Sequence, residues 1–162
     1  MASGQTLIPI EPKNHDPAAA SFATPDERNS HPVLDLALNE VAVFPLLLPR
    51  HYGGGGITIY LHYAMSSAVA NDIKLETYIE RIGDQQQDLD ADGFAAAQNT
   101  GDITVPGTSG NVDIITSTHT NGGQMDSLAV GEGGRLKVKR IAVAGSDASG
   151  DLEIFRIEIK ET

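Results

Sequence analysis

Asp88, Asp90 and Asp92 stand at alternate positions in the run Gln85-Gln86-Gln87-Asp88-Leu89-Asp90-Ala91-Asp92-Gly93. Carboxylates spaced in this way can converge their oxygens on one hard cation. They match positions 1, 3 and 5 of a twelve-residue calcium loop, with Gly93 at position 6, where such a loop turns sharply. Position 12 requires a bidentate glutamate and is Asn99 here. The flanks do not read as helices either. Two readings stand side by side: a calcium candidate at Asp88, Asp90 and Asp92, or a solvated turn that the glutamines lengthen.

Other chemistry is thin. The histidines are His15, His31, His51, His62 and His119, and no two share the i, i+4 spacing of a zinc-binding helix. No serine lies in a Gly-x-Ser-x-Gly elbow. Gly145-Ser146-Asp147-Ala148-Ser149-Gly150 lacks the lysine of a phosphate loop, and no helix follows Gly131-Glu132-Gly133-Gly134 as a dinucleotide fingerprint requires. Paired carboxylates of a glycosidase would need an aromatic cleft, and aromatic residues are only 5% of the chain. No catalytic residue and no cofactor is expected, and the chain reads as a non-enzyme.

The elements around these residues are strands. Short alternating or apolar runs recur, each bounded by Gly, Asn, Asp or Pro. They are Val33 to Leu38, Val41 to Phe44, Ile57 to Met65, Ile73 to Ile82, Phe94 to Gln98, Val112 to Thr118, Arg135 to Val143 and Glu153 to Ile159. Ile57, Ile59, Leu61, Tyr63 and Met65 share one face, because side chains alternate along a strand. In the last run, alternation sets Phe155, Ile157 and Ile159 against Arg156 and Glu158. About eight antiparallel strands with glycine-rich turns predict an all-β, jelly-roll-like sandwich over residues 32–162. An immunoglobulin-like sandwich usually brings a buried Trp and a cysteine pair, and this chain has neither. Residues 1–31 carry Pro9, Pro12, Pro17 and Pro25 and read as an extended, proline-rich N-terminal arm.

The chain has 162 residues, about one domain, with 40% apolar residues, no cysteine and a net charge of −11. That charge repels phosphate backbones and anionic lipid heads, so neither a nucleic acid nor a membrane is an expected partner. The longest apolar run, Val41 to Leu48, contains Pro45 and falls short of the roughly twenty residues a spanning helix needs. The absence of cysteine suits a reducing cytosol. Between Ile82 and Arg135 there is no lysine or arginine, while Asp84, Asp88, Asp90, Asp92, Asp102, Asp113, Asp126 and Glu132 all fall there. That segment predicts one strongly negative face.

Several segments resemble virion proteins of tailed bacteriophages: Leu48-Pro49-Arg50, Glu80-Arg81-Ile82, Asp92-Gly93-Phe94-Ala95-Ala96-Ala97-Gln98, Pro106-Gly107-Thr108-Ser109-Gly110 and Asp126 to Glu132. The resemblance implies a jelly-roll capsid cement or decoration protein, made in the host cytoplasm. Such a protein would assemble as a homotrimer and bind the major capsid protein on the outside of the phage head. The alternative is a carbohydrate-binding or tail- or fibre-associated β-sandwich module, reading sugars through loop residues such as Tyr52 and the acidic turn.

Overall fold

In the computed structural model, residues 4–16 and 20–162 are described, and they build two antiparallel sheets. The strands are β1 (Thr6–Ile10), β2 (Thr24–Arg28), β3 (His31–Leu36), β4 (Val41–Leu47), β5 (Ile57–Met65), β6 (Asp72–Ile82), β7 (Gln98–Asn99), β8 (Ile103–Thr104), β9 (Asp113–His119), β10 (Gly133–Ile141) and β11 (Leu152–Glu161). The six-stranded sheet runs β2-β3-β11-β5-β9, with β1 also paired to β11. The five-stranded sheet runs β4-β10-β6-β7, with β8 also on β6. The all-β sandwich expected from the sequence is the fold observed.

Alternation explains the core. Ile57, Ile59, Leu61, Tyr63 and Met65 of β5 are all at most 2% exposed. They meet Leu75 and Ile79 of β6, Leu136 and Val138 of β10, and Phe44 of β4 in one apolar cluster. Burying each such side chain is worth about 1.5–3 kcal/mol. Two of the buried polar side chains, His119 and Arg140, are held by specific partners. His119 is fully buried; its Nε2 lies 2.8 Å from Thr77 Oγ1, which lies 2.6 Å from Ser117 Oγ. Its Nδ1–H donates to the Gln124 carbonyl at 2.9 Å, so the Thr77 hydroxyl donates to a neutral ring. Arg140, 1% exposed, donates to the carbonyls of Gly150 and Ala148, each at 2.6 Å, and so pins the β10–β11 turn.

The outer face of the five-stranded sheet is closed by the chain that follows β6. Phe94 lies over it with Tyr78, and Lys137 Nζ sits 4.0 Å from the Tyr78 ring centre and 4.4 Å from that of Phe94. Arg135 pairs with the buried Glu80 beside them. These contacts tie the Phe94 loop down by cation–π and ionic attraction together.

The structure corrects three expectations. The boundary at residue 31 falls inside a hairpin, because β2 pairs with β3 from Thr24↔Asp35 to Arg28↔His31. Asn29 and Ser30 both have positive φ, as a tight two-residue hairpin turn demands. The N-terminal segment is extended, but its described parts belong to the sandwich: β1 pairs with β11 and buries Leu7 and Ile10. Second, β4 continues through Pro45 to Leu47. Proline is tolerated there because β4 lies at the end of its sheet. Third, Phe94 to Gln98 is not a strand; only Gln98–Asn99 pairs, with Glu76 and Thr77.

Candidate functional site

Along β11 the pairing to β5 passes from Ile154↔Tyr63 to Arg156↔His62, so Phe155 is an extra residue, a β-bulge. Strict alternation would put Phe155 in the core with Ile157 and Ile159. The bulge instead delivers it to the outer face, where it lines a pocket of about 320 Å³.

Each wall has a separate origin. Val33 of β3 and Ala64 of β5, both 5% exposed, give the pocket an apolar lining. His31, at the hairpin turn, meets Phe155 edge-on with ring centres 6.0 Å apart. The Arg156 guanidinium lies 4.8 Å from the same ring centre. Arg28, the last residue of β2, reaches across β3 to Glu153 of β11. Its Nη1 is 2.6 Å from Glu153 Oε2 and 3.1 Å from the Met65 carbonyl. Gly110 closes that side. A β-carbon there would lie 2.7 Å from Arg28 Nη2, and its φ of +84° is one that other residues rarely adopt.

The Glu153 side chain is only 8% exposed, and Arg28 offsets most of the cost of burying it. No described residue donates to Glu153 Oε1, and none accepts from Arg28 Nη2 or Nε. Acceptor and donor therefore stand together beside an aromatic ring. Next to Glu153 across the sheet, Asp35 is pushed up to about 6 by burial and then by the charges of Asp26, Glu153 and Asp151.

The residues singled out in the sequence lie elsewhere. Asp88, Asp90 and Asp92 do not converge. The Asp88 carboxylate accepts the Asp90 amide at 3.0 Å, and the Asp92 carboxylate accepts the Gly93 amide at 2.9 Å. Gly93 does not take a positive φ, so the sharp glycine turn of a calcium loop is not made. Among the described residues, no group of three or more His, Cys, Asp or Glu side chains is placed to hold a metal ion. Tyr52 lines a second pocket of about 420 Å³ with Asn121 and the Ser127–Val130 segment, but it is 8% exposed. Its hydroxyl is occupied by the Gly56 amide at 2.8 Å, so it does not present its ring as a platform.

The pocket was hidden because its parts come from positions 28, 31, 110, 153 and 155. Only the neighbouring pair Phe155-Arg156 carried a local signal, as a large apolar residue beside a charge where a bulge could form.

No family model and no curated protein matches the sequence. Solved structures do resemble the fold. The carbohydrate-binding module CsCBM6-3 from Clostridium stercorarium, in complex with cellobiose, superposes with a TM-score of 0.56 at 8% identity, covering 99% of this chain and 98% of that one. The module CBM6cm-2 from Cellvibrio mixtus lichenase 5A, in complex with cellotriose, gives 0.52 at 12% identity, covering 98% and 99%. CBM36, in complex with calcium and xylotriose, gives 0.51 at 15% identity, covering 94% and 99%. At these identities the likeness is one of fold: the chain has the jelly-roll β-sandwich architecture of these modules over nearly its whole length.

Proposed function

We propose that this chain is a carbohydrate-binding β-sandwich with no catalytic activity of its own, and that it holds a sugar residue in the Arg28–Glu153 pocket. The observation that carries the reading is the free acceptor of Glu153 and the free donors of Arg28 beside Phe155. Neighbouring hydroxyls of a sugar both donate and accept, and the apolar face of the ring packs on an aromatic side chain. The pocket lies within the size range of small-ligand sites. The fold likeness to modules solved with cellobiose, cellotriose and xylotriose supports the reading.

The test is a glycan array followed by calorimetry on its best hits, with cello- and xylo-oligosaccharides included. Phe155→Ala should weaken binding at least about tenfold while leaving the melting temperature within a few degrees. No array hit, or a hit that Phe155→Ala leaves untouched, overturns the proposal. Release of new reducing ends from a bound glycan overturns the non-catalytic part.

A virion setting is the second reading, favoured by one observation. Three of the segments that carry the phage resemblance meet in one knot. Arg81 Nε bonds Glu132 Oε2 at 2.6 Å, the Arg81 amide donates to Asp126 Oδ2 at 2.9 Å, and the Leu48 amide donates to the Glu132 carbonyl at 3.0 Å. Three of the five segments thus lie together in the fold. Protein mass spectrometry of purified phage heads tests the cement role. Absence of this chain from heads would end it.

A further inference from the structure

We infer that the free edge of β9 is a self-association surface, joining two copies of this chain into a dimer with one continuous sheet. Open strand edges normally carry a device that prevents pairing, such as proline, a charge, a bulge or brevity. The other edges of this sandwich carry one. β2 reads Thr24-Pro25-Asp26-Glu27-Arg28. The far side of β4 is covered by the Ser21–Ala23 segment at Val41 and is interrupted by Pro45. β7 and β8 are two residues each. β9 has no proline, no bulge and seven residues, and its one charge, Asp113, stands at its first position. It ends the six-stranded sheet, pairs with β5 in unbroken register, and reads Asp113-Ile114-Ile115-Thr116-Ser117-Thr118-His119.

Its outward groups can be assigned. In an antiparallel ladder, alternate residues bond the neighbouring strand and the others turn their amides and carbonyls away. The Ile114 amide goes to its neighbour Asp113 Oδ1 at 2.8 Å, not to β5. Ile114, Thr116 and Thr118 therefore face the free edge, and their side chains are exposed on the outer face. Ile114 is 48% exposed and Val112, just before the strand, is 54% exposed.

The strand is complementary to itself. Laid antiparallel across a two-fold axis at Thr116, Thr116 meets Thr116 of the second copy, and Ile114 meets Thr118. β-Branched residues make favourable cross-strand pairs of this kind. Asp113 is the only acid in the strand, and the two-fold sends the two copies of it to opposite ends. A chain of net charge −11 thus keeps its acids out of the middle of this edge. The second copy is the committed occupant; a closed two-fold stops at two chains and does not propagate into a fibre. The axis stands perpendicular to the sheet, so both Arg28–Glu153 pockets open on the same side. The dimer itself does not depend on what the pockets bind.

Sedimentation equilibrium of the whole chain tests this, against the 17.1 kDa of one copy. The wild type should show a concentration-dependent mass rising to two chains. Thr116→Lys opposes two charges at the axis, and Thr116→Pro removes the outward amide; Thr116 is exposed, so both variants should fold and sediment as one chain. Hydrogen exchange supplies the second readout: the Thr118 amide should be slowed at high wild-type concentration and fast in both variants. A one-chain mass for the wild type at every concentration, a three-chain mass, or a two-chain mass that survives both substitutions overturns the inference.

Discussion

Arg28 Nη1 lies 2.6 Å from Glu153 Oε2, and this contact ties the edge strand β2 to β11 across β3. Glu153 is nearly buried while Arg28 keeps a third of its side chain in water. The pair is therefore lopsided: the carboxylate depends on the guanidinium more than the reverse. Arg28→Ala should cost about 2 kcal/mol, below the usual range for a fully buried pair because solvent screens the arginine. Glu153→Gln, which keeps the shape and removes the charge, should cost about half of that. Urea midpoints of the two variants check the order, and equal losses would show that the carboxylate is not the dependent partner.

Asp35 and His119 set opposite slopes of stability against pH. Asp35 is held at about 6 in the folded chain against an ordinary 3.8, so the native state binds the extra proton. As pH rises from about 4 to about 6, the native state must give up a proton that the unfolded chain has already lost, and stability falls. Thermal melts across that window should show Asp35→Asn to be flatter than wild type, with the largest gain at the upper end. A slope unchanged by Asp35→Asn would remove the carboxyl crowding around Glu153 from the account.

His119 works the other way. Burial holds its pKa below the usual 6.5, so the unfolded chain takes up a proton first as pH falls, and stability declines below about 6.5. His119→Ala should cost about 3 kcal/mol at neutral pH, since it opens a cavity and leaves Thr77 and the Gln124 carbonyl without their partner. It should also abolish the acid-side decline that His119 causes. Denaturant midpoints at pH 7 and pH 5 in wild type and variant separate the two effects.

The Asp88–Asp92 turn makes a negative prediction. Asp88 and Asp92 each give one oxygen to a neighbouring amide, the three carboxylates do not gather around one point, and Gly93 lacks the backbone of a cation loop. Calcium titration should leave the melting temperature of wild type and of a triple Asp88→Asn, Asp90→Asn, Asp92→Asn variant equally unmoved. A calcium-dependent rise in the wild type alone would restore the cation reading.

Much of the sandwich is legible in the sequence because its long strands are half-buried and alternate cleanly. The inward faces of β5, β6 and β10 follow from the period of two alone, from Ile57 to Met65 and at Leu136 and Val138. The features that escape are those that break that period or hide behind proline. β2 and β3 carry Pro25 and Pro32, which read as an arm until the positive φ of Asn29 and Ser30 reveals the hairpin. Glu80 looks like a surface charge by pattern, yet it is buried against Arg135, far away in the chain. The candidate site escapes for the same reason. Arg28 and Glu153 are brought together by sheet order, and no spacing in the sequence encodes that order.

The bulge at Phe155 makes the last and sharpest prediction. β11 pairs Ile154 with Tyr63 and Arg156 with His62, so removing Phe155 leaves a regular ladder with no side chain changing face. Ile154 would still point inward, Arg156 outward and Ile157 inward. The shortened chain should fold within about 1 kcal/mol of wild type, the deficit being its lost contact with His31, and it should lose glycan binding. Removing Glu158 instead shifts the end of β11 by one residue, turns Ile159 outward and drives Lys160 into the core. That chain should not fold. Circular dichroism and a thermal melt of the two deletions read the result directly. Failure of the Phe155 deletion to fold, or tolerance of the Glu158 deletion, would show that the bulge is not what brings Phe155 to the surface.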